Sequence, residues 1–138
     1  MFLNKSDLKE TCQELLNDFG GASSWEWDKG FNALVAEFSA EGHEEIRTKL
    51  KHHLSLEWDH KSIRKAPEKI QTATGDFGDL RANQLLFTSD PEGDVFIFAA
   101  WWPWNNGEVI SVRIASPAPG ENYQGNQGVL AKIKSFFN

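Results

Sequence analysis

The sequence predicts a single α+β domain over residues 1–138, in which an antiparallel sheet packs against two to three helices. Three observations carry that expectation. Apolar residues recur with a helical period near the start, middle and end of the chain. Three β-rich runs between residues 84 and 116 are divided by strong turn signals. With 138 residues, 40% of them hydrophobic and including six Trp and ten Phe, the chain has apolar material for one core.

Leu8, Cys12, Leu15, Leu16 and Phe19 form one stripe of a 3.6-residue repeat, and Gly20-Gly21 supplies the stop. Away from that stripe lie Asp7, Glu10, Glu14 and Asp18. Their row of carboxylates is either an ordinary solvated exterior or an acidic face for a partner.

Residues 24–39 allow two readings. Trp25 and Trp27 alternate with polar residues ahead of Lys29-Gly30, which fits a hairpin with 31–38 as its second strand. Phe31, Leu34, Val35 and Phe38 also repeat at helical spacing. The hairpin is preferred because glycine and paired tryptophans suit strands better than helix starts.

Ile46, Leu50 and Leu54 predict a second helix over 41–56 with a basic exterior. Residues 1–45 hold 10 acidic and 3 basic side chains, 46–71 hold 3 and 7, and 72–138 hold 7 and 4. A basic island therefore sits in an acidic chain, and neutralising the acidic helix is its simplest use. From Trp58 to Asn83 the apolar density falls, and Pro67, Gly75 and Gly78 interrupt the run. This reads as a long connection containing a turn or two of helix, which at this length is often functional.

The meander follows as strands 84–89, 95–104 and 108–116, joined by the turns at 90–94 and Asn105-Asn106-Gly107. A type I′ turn at Asn106-Gly107 sets the register: Trp104 opposite Val109, Trp102 opposite Ser111, Ala100 opposite Arg113. One face carries Val95, Ile97, Ala99 and Trp101 with Val112 and Ile114, and reads as core. The other carries Phe96, Phe98, Trp102 and Trp104 with Val109, Ser111 and Arg113. Either helices cover that face and Arg113 marks the rim, or it is an open aromatic platform with Arg113 diagonal to Trp102 in a cation–π contact. Pro103 is a candidate bulge that would shift this register. A closing helix is expected from Val129, Leu130, Ile133, Phe136 and Phe137. The whole is expected to form one sheet and one helical layer.

The chemistry is defined mostly by what does not occur. A net charge of -6 and a pI near 5.2 disfavour nucleic acid and phospholipid surfaces. The longest apolar run, 95–104, is too short for a bilayer span. The N-terminus lacks secretory-signal features and Cys12 stands alone, so a cytoplasmic location is expected. P-loop, dinucleotide-binding, nucleophile-elbow and paired-cysteine motifs are absent, so no enzymatic activity and no cofactor are expected. His52, His53 and His60 cluster near Asp59, but a polar helix edge explains them without a metal.

The expected function is that of a small acidic binding protein, an inhibitor-like or immunity-like module docking a protein through Asp7, Glu10, Glu14 and Asp18. The alternative is a small-molecule domain in which Phe98, Trp102 and Trp104, with Ser111, Arg113 and an acidic side chain from 72–83, hold a cationic or ring-shaped ligand. The same Trp-rich face would also suit a homodimer.

Overall fold

The computed structural model describes residues 3–21 and 24–117. The closing helix expected from Val129 to Phe137 lies outside them. Asn4 caps the first helix, α1 (Lys5–Thr11), its Oδ1 accepting from the Asp7 N–H at 2.8 Å. The chain kinks at Cys12 and continues as α2 (Gln13–Asp18), still joined by the Leu16 N–H donating to the Cys12 carbonyl at 2.8 Å. One helix was expected here, and the stripe survives the kink: Leu8, Cys12, Leu15 and Leu16 are buried. Gly20 and Gly21, both at φ +94°, end it.

The hairpin is present. β1 (Glu26–Asp28) pairs antiparallel with β2 (Ala33–Ser39), Trp27 opposite Leu34. A single 3-10 turn (Ala40–Gly42) leads into α3 (His43–His53), which is shorter than expected because Leu54 turns extended. The chain then forms an edge strand, β3 (Leu56–Trp58), where sequence predicted helix and loop. Three residues are too few to show a period. β4 (Leu85–Thr88), β5 (Phe98–Trp104) and β6 (Val109–Ala115) form the meander. All pairs are antiparallel, in the order β1-β2-β6-β5-β4-β3.

The β5–β6 register is the expected one, with Trp104 opposite Val109, Trp102 opposite Ser111 and Ala100 opposite Arg113. Asn105, Asn106 and Gly107 all take positive φ at the turn. Pro103 pairs with Ile110 and makes no bulge. β5 begins three residues later than expected, and Val95, expected in the core, is 37% exposed at the end of the 90–94 turn.

Two layers cover the sheet, where one was expected. On one face α1, α2 and α3 bury Leu34, Phe87, Ala99, Trp101, Val112 and Ile114. On the other lies the long connection, folded as a 3-10 turn (Ser62–Lys65), α4 (Glu68–Thr74) and a second 3-10 turn (Gly75–Gly78). Its Ile63, Ala66, Ile70 and Ala73 pack on Ala33, Leu86, Phe96, Phe98 and Ala100. Pro67 occupies the N-cap of α4, where it obstructs no helical hydrogen bond. Small alanines and flanking lysines hid this helical spacing.

Charged groups tie α3 to its neighbours. Arg47 Nε and Nη2 donate to the two Glu57 oxygens at 2.7 and 2.5 Å, tying α3 to β3. Lys49 Nζ donates to the Asp18 carbonyl at 2.7 Å and His53 Nε2 meets the Asp18 carboxylate, so the basic island does meet the acidic helix. No helix of the described residues is long and apolar enough to cross a membrane.

Candidate functional site

The second layer covers only part of its face. Phe96, Phe98 and Ala100 are buried beneath it, whereas Trp102 is half-buried and Trp104 is 46% exposed. Both readings of this face are therefore partly right: it is core at one end and an aromatic surface at the other.

At the boundary lies a cleft of about 270 Å³. Its aromatic rings come from three places. The turn between β1 and β2 contributes Phe31, which is 45% exposed. The turn after α4 contributes Asp76 and Phe77, and β5 contributes Phe98 and Trp102. The rings form one continuous set: Phe31 to Trp102 at 5.1 Å, Phe31 to Phe77 at 5.7 Å, Phe77 stacked on Trp102 at 5.6 Å, and Phe77 edge-on to Phe98 at 5.2 Å.

Local backbone chemistry places these rings. Asp28 Oδ1 accepts from the Gly30 N–H at 3.0 Å, and Asn32 takes φ +51°, so the turn brings the Phe31 ring to Trp102 and Arg113. Gly75, at φ 51° and ψ -129°, turns the chain after α4 in a conformation that a side chain would strain, and Phe77 follows two residues later.

Arg113 stands behind the wall as a post. Its Nε donates to Asp28 Oδ2 at 3.0 Å, and its guanidinium carbon lies 4.8 Å from the Trp102 ring centre and 5.1 Å from that of Phe31. The expected diagonal contact with Trp102 is thus present. The Asp28 carboxylate fixes both the turn that carries Phe31 and the cation that backs it.

Of the residues expected to bind a ligand, Phe98 and Trp102 line the cleft and Arg113 supports it. Trp104 and Ser111 lie further along the same face, where the Trp104 Nε1–H donates to the buried Ser111 Oγ at 2.7 Å. The sequence reading missed Phe31 and Phe77 as wall residues. The available signals were an aromatic at a turn tip and an aromatic held between two glycines, Gly75 and Gly78, in an otherwise polar loop.

Asp7, Glu10, Glu14 and Asp18 are exposed, but the kink at Cys12 divides them between two helices and Asp18 is engaged by His53 and Lys49. Hydrogen bonding to His53 holds the Asp18 carboxyl below the usual range. Glu14 borders another cleft, of about 290 Å³, with Cys12, His53 and Ser89. Burial pushes the Cys12 thiol up to about 12, which removes it as a nucleophile there. The His52 and His53 rings meet edge-on at 5.0 Å. Among the described residues no group of three or more His, Cys, Asp or Glu side chains is placed to hold a metal ion.

No family model, curated protein or solved structure matches this chain. What the fold and the site establish together is a small α+β domain with partly exposed aromatic clusters at Phe31 and Trp104.

Proposed function

We propose that this domain binds a small ring-shaped molecule in the aromatic cleft, without chemical turnover. The observation that carries the reading is the four-ring wall of Phe31, Phe77, Phe98 and Trp102 around a cavity of about 270 Å³. An apolar cavity of about 150 Å³ accepts benzene, so this volume suits one ring or a fused pair. Aromatic walls with few polar groups are the usual make-up of ligand pockets. Support from Arg113 and Asp28 keeps the rings in place before the ligand arrives, which reduces the ordering cost of binding.

Thermal unfolding of the full chain across sugars, nucleotides and flat aromatic compounds tests this. A flat ring compound at a hundred times its dissociation constant stabilises by about 2.7 kcal/mol. The shift is expected with flat aromatics and is expected to vanish in Phe31→Ala, a half-exposed position whose truncation leaves the core intact. A panel with no aromatic response, or a response unchanged in Phe31→Ala, contradicts the reading.

A protein partner is the second reading, carried by Trp104 at 46% exposure beside Val109 and outside the cleft. Under it, Trp104→Ala weakens association with the partner and leaves ring binding untouched.

A further inference from the structure

Among the described residues the cleft is charged on one side only. Among its described lining residues Asp76 is the sole ionisable side chain, and it stands exposed at the rim. No described cation pairs with its carboxylate. The remaining polar walls offer no positive charge: Thr74 Oγ1 donates its proton to the Ile70 carbonyl at 2.7 Å, and Ser116 Oγ accepts from the Leu3 N–H at 2.8 Å. Arg113 supports the rings without lining the cavity, and Asp28 neutralises it at 3.0 Å.

The rings themselves already hold a flat cation. Phe31 and Trp102 both lie within about 5 Å of the Arg113 guanidinium, a planar group with delocalised positive charge. The same wall shares its cleft with a carboxylate that no described cation neutralises, and it is chemically matched to a second such group. The net charge of -6 favours the approach of a cation and disfavours an anion.

We propose that the ligand is a flat aromatic ring bearing a delocalised positive charge, stacked in the cleft with its charged edge toward Asp76. This rests on the ring-binding function proposed above and adds the charge of the ligand to it. Asp76 acts as the specificity residue, and Arg113 as a positioning residue for the wall.

The test uses two probes of nearly one shape, N-methylquinolinium and quinoline, titrated calorimetrically into the full chain at mildly alkaline pH, where quinoline is neutral. The methylquinolinium cation is expected to bind about five- to tenfold more tightly, the scale of one exposed ion pair plus a cation–π preference. In Asp76→Asn, which keeps the size of the side chain, that preference is expected to fall to about twofold because methylquinolinium binds more weakly. Equal affinity for the two probes in the wild type, or a preference that persists in Asp76→Asn, overturns the charge assignment and leaves ring binding standing. Failure of both probes to bind overturns both.

Discussion

Breaking the Asp28–Arg113 pair tests whether the aromatic wall is built in advance. The groups are 3.0 Å apart, with side chains 22% and 19% exposed. Two unit charges at that separation attract by about 1.4 kcal/mol in bulk water and about 5.5 kcal/mol at the effective dielectric near a protein surface. Desolvation of two largely buried groups removes most of the larger figure, leaving a coupling of about 1.5 kcal/mol, above the range of fully exposed pairs. Arg113→Met also forfeits the cation–π contacts to Phe31 and Trp102, and a total loss of about 2.5 kcal/mol is expected. Asp28→Asn keeps an oxygen for the Gly30 N–H and removes only the charge, for an expected loss of about 1.5 kcal/mol. The double variant is then expected near about 2.5 kcal/mol, because the shared interaction is lost only once. Urea unfolding followed by tryptophan fluorescence gives all four stabilities. A coupling below about 0.5 kcal/mol would refute the claim that Asp28 holds the post behind the wall.

Other expectations follow from the packing and the charges. Phe98→Ala, at a position only 1% exposed and in contact with Phe77 and Phe96, is expected to cost about 3–5 kcal/mol in urea unfolding, and a loss under about 1.5 kcal/mol contradicts the core assignment. Native Cys12 is expected to resist iodoacetamide until the chain unfolds, because burial pushes its thiol up to about 12, and rapid labelling of folded protein speaks against it. Hydrogen bonding to Arg47 holds the Glu57 carboxyl below its usual range, and the Ser62 and Lys61 N–H groups do the same for Asp59. Carboxylates lowered in the folded state stabilise it above their unfolded value of about 4, and that contribution disappears as pH falls through the folded values. Urea midpoints are therefore expected to drop on acidification, less steeply in Glu57→Gln than in wild type; parallel curves contradict the role of the Arg47–Glu57 pair.

The legible parts of the sequence were those set by local chemistry. Asn105-Asn106-Gly107 fixed the β5–β6 register, which in turn put Arg113 diagonal to Trp102. Gly20-Gly21 ended the first helical segment, and the alternation of Trp25 and Trp27 before Gly30 marked the hairpin. The rest depended on distant partners. β3 has three residues and exists because β4 offers it an edge, Trp58 Nε1 donating to Thr88 Oγ1 at 3.0 Å. The second layer packs through Ala66 and Ala73, whose small side chains give little periodic signal, and its lysines resemble those of a solvated loop. Half of the site was visible for the same reason: Phe98 and Trp102 share a strand, whereas Phe31 and Phe77 meet across 46 residues only once both sheet and second layer are in place.

The central claim is the location of the binding site, and the chain's own tryptophans report on it. Indole and amide N–H resonances of ¹⁵N-labelled protein, followed during titration with N-methylquinolinium and with quinoline, separate the Trp102 side chain from Trp104 outside the cleft and Trp25 in the opposite core. The account expects saturable shifts at the Trp102 indole and at the amides of Phe31, Asn32, Gly75 and Phe77, with Trp25 and Trp104 unmoved. Saturable shifts centred on Trp104, or no saturable shift with either probe, would contradict it.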